Sequence, residues 1–423
     1  MKATRERKRY AAASRTAGAL GAAALVEPPP TVPTMRETRE TGQTSETAAT
    51  PSAAPVEAAA RHGAVEPLPD AWLTTLGIAA LMVLVSYRLY GWAWSPLTYA
   101  SFGVLFAVAG ARLSGLFARE RRHYAFAMRR YLLGVVAPLW AFGLVFVPLM
   151  LWWGWTSTQD GTPLAGASAL LWMAPISTPP ASDLGVDWVS PAWYVGALVW
   201  LVLLSQPLAW LFGRWPIRTL LVPFAVAFLA GQGILTLGGA AGAQILTVCA
   251  FVGCWLAGFA YESGRLHRSA VLLVAFAALL LGSIGLWWSV VAVGQGHASF
   301  GSETPAQTSL FSFGVVVLAL RLGPRPRRRF DEPRSLDRVL RALDRRFVTV
   351  YLWSATAATV AMAALTQWTV TSQVLAQGGL PGALLRLVAT LAVVAVFAAG
   401  FGWVEEMATS RALRTRQLSR RQR

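Results

Sequence analysis

The chain has 423 residues, of which 55% are hydrophobic and only 13% charged, about half of the roughly 25% charged content of soluble domains. With 19 Trp and a mean hydropathy of +0.49, this composition excludes a soluble enzyme, a disordered chain and a disulfide-stapled scaffold. The net charge of +17 would suit a nucleic-acid binder, but the placement of the charges argues for membrane topology, and no nucleic-acid partner is expected.

Residues 1–70 form their own compositional zone, with nine Lys/Arg, eight Asp/Glu and a proline run at Pro28–Pro30. No run there can bury a core, which predicts a disordered cytoplasmic tail. From Ala71 onward the chain carries ten apolar segments, at 71–90, 97–117, 131–153, 192–213, 216–237, 241–262, 270–293, 305–322, 347–367 and 381–402. As a helix, each is long enough for about 30 Å of hydrocarbon. Helices are the expected form because lipid offers no partner to a free backbone amide. The fold class is therefore an all-α polytopic membrane protein of about ten transmembrane helices. Cys249 and Cys254 fall in one segment on different sides of a helix, so neither a disulfide nor a metal pair is expected.

Of the 28 Lys/Arg residues beyond residue 70, alternation of ten spans places 26 on the side of the N-terminus. The five opposite loops hold none. The positive-inside rule then predicts both termini in the cytoplasm of a cell membrane. The opposite side has one long loop, Gly154 to Ser190, carrying Asp160, Asp183 and Asp187 and flanked by Trp152, Trp153, Trp155, Trp188 and Trp193. Two readings stay open for it, an aromatic belt at the headgroups and a sugar platform. Its stretch 164–174 is too short to span and is expected at the interface.

The loop 321–346 has ten Arg against four acidic residues. Leu336, Val339, Leu340, Leu343 and Phe347 recur at helical spacing behind a Ser335 N-cap. This predicts a basic amphipathic helix lying on anionic cytoplasmic lipid, the expected partner surface. Residues 408–423 form a second basic cytoplasmic tail, so the membrane domain is 71–407.

Charges inside spans are costly and often functional. Arg88 and Arg386 lie at the non-cytoplasmic ends of the first and tenth segments and are candidates to hold an anionic group, with snorkelling as the simpler reading. Arg112 and Arg321, at cytoplasmic ends, are read as snorkelling. Among the histidines only His297 lies in a non-cytoplasmic loop, and it is a weak catalytic candidate. The sequence has no metal cluster, no phosphate-cradling glycine loop and no GxSxG, so no metal or cofactor is expected.

Four segments, taken in order, resemble the integral-membrane acyltransferase-3 family, especially its high-GC bacterial branch. RRYLLGVVAPLW from Arg129 resembles the basic start of the family's third helix. SPAWYVGALVWLVLLS from Ser190 resembles its fourth. TVYLWSATAATVA from Thr349 resembles its "TIYLWHMPA" helix, and FGWVEEMA from Phe401 its terminal "GWVE" segment. The resemblance implies transfer of an acyl group from a cytoplasmic acyl-CoA-type donor, a co-substrate, to a hydroxyl of an envelope carbohydrate, a lipid or a secondary metabolite. It also implies a first-helix His as general base, preceded by an Arg. Here Leu76 stands at the Arg position and Tyr87 at the His position. Leu133–Gly134 replaces a second basic pair, and Ser354 replaces the His of "YLWH". A Tyr, with an unperturbed pKa near 10, is a poor base at neutrality.

The sequence thus predicts a membrane O-acyltransferase-like protein, with enzymatic activity left open. Arg129 and Arg130 would bind donor phosphates. Arg88, Arg386, Trp193 and Tyr194 would contact substrate, and Tyr87 and His297 are the weak catalytic candidates. The rival readings are a catalytically degenerate binding or translocation scaffold and a secondary transporter.

Overall fold

The structure, a computed structural model, describes residues 71–90, 95–119, 123–159, 161–164, 166–294, 305–324, 342–377 and 379–421. The N-terminal tail, His297 and most of the expected amphipathic helix lie outside the described residues, as does the side chain of Arg88.

Among the described residues the secondary structure is entirely helical. The principal helices are α1 (Ala71–Tyr90), α2 (Ser95–Arg119) and α3 (Tyr124–Trp152). After the long loop come the short α4 (Val186–Val189), then α5 (Ala192–Leu203), α6 (Ser205–Arg214) and α7 (Pro216–Gly231). Next are α8 (Gly239–Glu262), the short α9 (Arg265–Arg268), α10 (Val271–Gly294) and α11 (Pro305–Leu322). The chain finishes with α12 (Phe347–Thr366), α13 (Thr369–Gln377) and α14 (Gly379–Arg421). Each of the ten apolar segments contains helix, although 216–237 is helical only as far as Gly231. The segment 192–213 is broken at Leu204 into α5 and α6. Pro207 explains the break, because its ring crowds the carbonyl four residues back, at Leu203, and it offers no amide to it.

Eight of the described helical stretches are long and apolar enough to cross a membrane, while Ala71–Tyr87 and Pro216–Gly231 are shorter apolar helices. At sixteen residues α7 reaches about 24 Å, short of an untilted crossing of about 30 Å. The chain is a multi-pass membrane protein.

Helices α2, α8 and α11 pack on one another, with α10 against α11 and α7 against both α8 and α11. Helices α3, α12 and α14 form a second group, and α1 lies against α2 and α12. The α2–α8 seam depends on two glycines. A Cβ on Gly258 would collide with the Ala107 carbonyl and the Ala111 amide, and one on Gly110 would come 2.5 Å from the Trp255 carbonyl. Small residues let helices approach in lipid, where dispersion replaces the hydrophobic effect as the driving force. Helices α10 and α14 are mostly unburied, as expected of lipid-facing elements.

The described residues of the loop between α3 and α4 are tied together by hydrogen bonds. At its mouth the Thr162 amide donates to the Ala181 carbonyl (2.7 Å), and the Ala181 amide to Thr162 Oγ1 (3.0 Å). Beyond that pair the chain forms a 3-10 helix, Gly166–Trp172, and turns back through prolines 175, 179 and 180. The turn wedges between α3 and α5. Trp172 sits where a Cβ on Gly143 would be, 2.7 Å from its ring, and the Pro175 carbonyl lies 3.3 Å from the Cβ position of Gly196.

Asp183 closes the loop. Its carboxylate accepts hydrogen bonds from the Thr158 amide (2.9 Å) and hydroxyl (2.9 Å), and from the amides of Gln159 (3.2 Å) and Gly161 (2.6 Å). These donors, the Thr158 amide foremost, hold the carboxyl well below the usual carboxylate range.

Candidate functional site

On the arginine-rich face, charged and polar side chains converge where α1, α2, α3, α12 and α14 meet. Arg112, near the end of α2, forms an ion pair with Asp344, just before α12. The Thr74 hydroxyl of α1 donates to the same Asp344 oxygen at 3.3 Å. The guanidinium also lies 5.8 Å from the centre of the Phe347 ring, within cation–π range. The sequence reading of Arg112 as a snorkelling residue is therefore corrected: its charge is neutralised inside the protein. Tyr131 of α3 donates to the Ala109 carbonyl at 3.4 Å.

Beside this pair lies Glu405 of α14, which is 6% exposed. It accepts hydrogen bonds from the amides of Val348 (3.4 Å) and Thr349 (3.1 Å) and from the Thr349 hydroxyl (2.8 Å). Residue 346, the N-cap of α12, makes no side-chain cap of its own. A carboxylate from another helix thus meets the free amides and positive dipole end of α12. Its neighbour Glu406 takes Arg346 in an ion pair at 2.9 Å.

Behind the charges lies an aromatic layer. Tyr194 of α5 and Tyr351 of α12 have ring centres 4.8 Å apart. Phe102 of α2 meets Trp193 edge-on at 4.8 Å, and Phe106 meets Tyr194 at 4.6 Å. Trp353 stacks on Phe401 at 4.4 Å. Tyr194 and Trp193, both singled out in the sequence, thus share one ring cluster in the bundle interior.

The other candidates are dispersed. Arg129 is exposed and Arg130 half-buried in the first turns of α3. Arg386 is half-buried in α14, and its Nε is buried with no hydrogen-bond partner among the described residues. Tyr87 is exposed near the end of α1. Among the described residues no hydrogen bond, ion pair or ring contact joins Arg129, Arg386 and the Trp193–Tyr194 pair. At the substituted family positions, Leu76 packs against the core, and a Cβ on Gly134 would lie 3.2 Å from a Thr409 methyl. Ser354 is buried and donates to the Tyr351 carbonyl at 2.6 Å. Sequence reasoning missed Asp344, Thr74, Tyr131 and Thr349. Glu405 stood in the quoted GWVEE segment but was given no role.

Among the described residues no group of three His, Cys, Asp or Glu converges as a metal site would require. No curated protein and no solved structure matches the chain. Residues 112–399 match the acyltransferase-3 family model, described as an acyltransferase domain. That match is narrower than the resemblance read from the sequence. It begins at Arg112, so it leaves out α1 with Leu76 and Tyr87, and it ends before Phe401. It covers more than half of the chain and takes in the ion pair, the α3 arginines and the Trp193, Tyr194, Tyr351 and Trp353 rings of the aromatic layer: the chain belongs to the acyltransferase-3 family.

Proposed function

We propose that this membrane O-acyltransferase-like protein takes its acyl group from an acyl-CoA-type donor bound at the arginine-rich face, by way of Arg129 and Arg130. The acceptor is a hydroxyl of an envelope carbohydrate, a lipid or a secondary metabolite. The protein sits in a bacterial cell membrane with both termini cytoplasmic, which makes the donor face cytoplasmic. The observation that carries this reading is Arg129, exposed in the second turn of α3 and without an ion-pair partner among the described residues. Arg112, by contrast, is already neutralised by Asp344. A guanidinium available to a ligand suits a donor phosphate in geometry and charge.

A second reading, a catalytically degenerate binding scaffold, draws support from Ser354. It occupies the position of a family histidine, is buried, and spends its hydroxyl on a carbonyl of its own helix. General-base catalysis contributes about 10²–10⁴-fold, so its loss would leave binding intact while turnover falls.

The test is binding of a non-hydrolysable acyl-CoA analogue to purified protein, alongside acyl transfer to candidate acceptors. Binding that weakens at least tenfold in Arg129→Ala/Arg130→Ala supports the donor site. Turnover above background supports the enzyme, and binding without turnover supports the scaffold. Tyr87→Phe is expected to change neither, because the phenol is exposed and makes no hydrogen bond among the described residues. Neither binding nor turnover would remove the donor assignment and favour a transporter.

A further inference from the structure

The hairpin between α3 and α4 reaches far below the ends of the helices that hold it. The Trp140 indole donates to the Met173 carbonyl at 2.9 Å, and the Trp200 indole to the Ile176 carbonyl at 2.7 Å. Trp140 lies twelve residues before the end of α3 at Trp152, about 18 Å along the axis. Trp200 lies eight residues into α5, about 12 Å. Helix α3, with 29 residues, is about 43 Å long and exceeds the hydrocarbon thickness by about 13 Å. Even with all of that excess on the hairpin's side, Trp140 stands about 5 Å inside the hydrocarbon.

The hairpin's chemistry suits that depth. From Gly161 to Ser182 there is no Asp, Glu, Lys, Arg or His. Irregular backbone in lipid is tolerated only where its polar groups find partners. Here three indoles serve three carbonyls, the third being Trp172 on Pro180 at 3.2 Å. The Leu170 carbonyl takes the amides of Met173 (2.9 Å) and Ala174 (2.8 Å), and the Ala174 carbonyl takes that of Ile176 (2.8 Å). Pro175, Pro179 and Pro180 have no amide to satisfy. Yet the side chains of Leu170, Met173 and Ile176 point away from the protein, at 59%, 67% and 51% exposure, beside a Trp140 that is 43% exposed. The carbonyls of Leu170, Met173, Ala174, Ile176 and Pro180 are thus paired within the protein, while large apolar side chains are turned outward at membrane depth.

We propose that residues 166–180 form a re-entrant hairpin immersed in one lipid leaflet, with Leu170, Met173 and Ile176 in contact with phospholipid acyl chains. The chain thus enters and leaves the membrane on the same side between α3 and α5, and these two helices are held apart by the hairpin instead of packing along their full length.

The full-length chain in phospholipid nanodiscs tests this, whichever way the termini face. In a Cys249→Ala/Cys254→Ala background, Met173→Cys carries a bimane fluorophore, and Gln159→Cys, exposed at the loop mouth, serves as the aqueous control. Nitroxide-labelled lipids should quench bimane at 173 more strongly from mid-chain than from the headgroup, and a water-soluble nitroxide should quench only the fluorophore at 159. Quenching at 173 by the aqueous nitroxide would place the hairpin above the membrane and overturn the proposal. Silence to both quenchers would show a protein partner covering the tip, and would overturn it equally. Should the cysteine-free protein fail to fold, hydroxyl-radical footprinting of the unmodified protein decides the matter. Met173, although chemically the more reactive, should oxidise at least tenfold less than Leu184, which is 59% exposed above the hairpin. Oxidation of Met173 at or above the level of Leu184 would refute immersion.

Discussion

Glu405, near the end of the apolar part of α14, accepts hydrogen bonds from both the amide and the hydroxyl of Thr349 in the first turn of α12. One carboxylate therefore caps a helix that lies 56 residues earlier in the chain. It also fixes the two helices that carry the stacked Trp353 and Phe401. Replacing it with alanine leaves two amides and a hydroxyl without their acceptor, at a cost of about 1–3 kcal/mol. Glu405→Ala should lower the midpoint of thermal unfolding in detergent by several degrees, and Glu405→Gln, which keeps an acceptor oxygen, by less. Equal stability of Glu405→Ala and the unmodified protein would show that the cap contributes nothing.

The Arg112–Asp344 pair is only partly shielded, with side chains 25% and 15% exposed. Removing either partner should cost less than the roughly 3–5 kcal/mol of a fully buried pair, because water reaches the residual charge. The double variant Arg112→Ala/Asp344→Ala should be less destabilised than the sum of the singles, with a coupling of about 0.5–3 kcal/mol. A double-mutant cycle of denaturation midpoints measures it; simple additivity would mean that the two charges do not sense each other.

Close contact of α2 and α8 predicts a sharp contrast between glycines. Gly258→Ala drives a methyl into backbone atoms of α2, which cannot yield as a side chain would. Folded yield by size-exclusion chromatography should fall severely. Gly400→Ala, where nothing lies within 4 Å of the added carbon, should be neutral or slightly stabilising, since alanine is the better helix former by about 1 kcal/mol. A normal yield for Gly258→Ala would require the helices to separate.

Asp183 makes the loop mouth acid-sensitive. Its folded pKa is depressed by the Thr158, Gln159 and Gly161 donors, so its contribution is complete above the unfolded value of about 3.9 and is lost as pH falls below it. Limited proteolysis of the Thr156–Leu164 stretch should stay constant from neutrality to about pH 5 and rise progressively once pH falls below about 4. Asp183→Ala should show the open, readily cleaved loop at neutral pH. Protease resistance of Asp183→Ala equal to that of the parent would leave the ordering of the mouth to other contacts.

Helix content and the positions of ten apolar helices were legible in the sequence for one physical reason. Insertion into about 30 Å of hydrocarbon is decided residue by residue, by the transfer of side chains from water to lipid and by the need to pair every backbone amide locally. The same one-body logic failed wherever a partner lay far along the chain. Arg112 read as a snorkelling residue because Asp344, 232 residues away, was counted only among the loop charges. Glu405 carried no signal because its donors, two amides and a hydroxyl, sit at the start of another helix 56 residues earlier. The stretch 164–174 read as interfacial because it is too short to span. That it packs between α3 and α5 rests on the gaps left by Gly143 and Gly196 and on indoles placed to meet its carbonyls, a complementarity that exists only once the helices have packed.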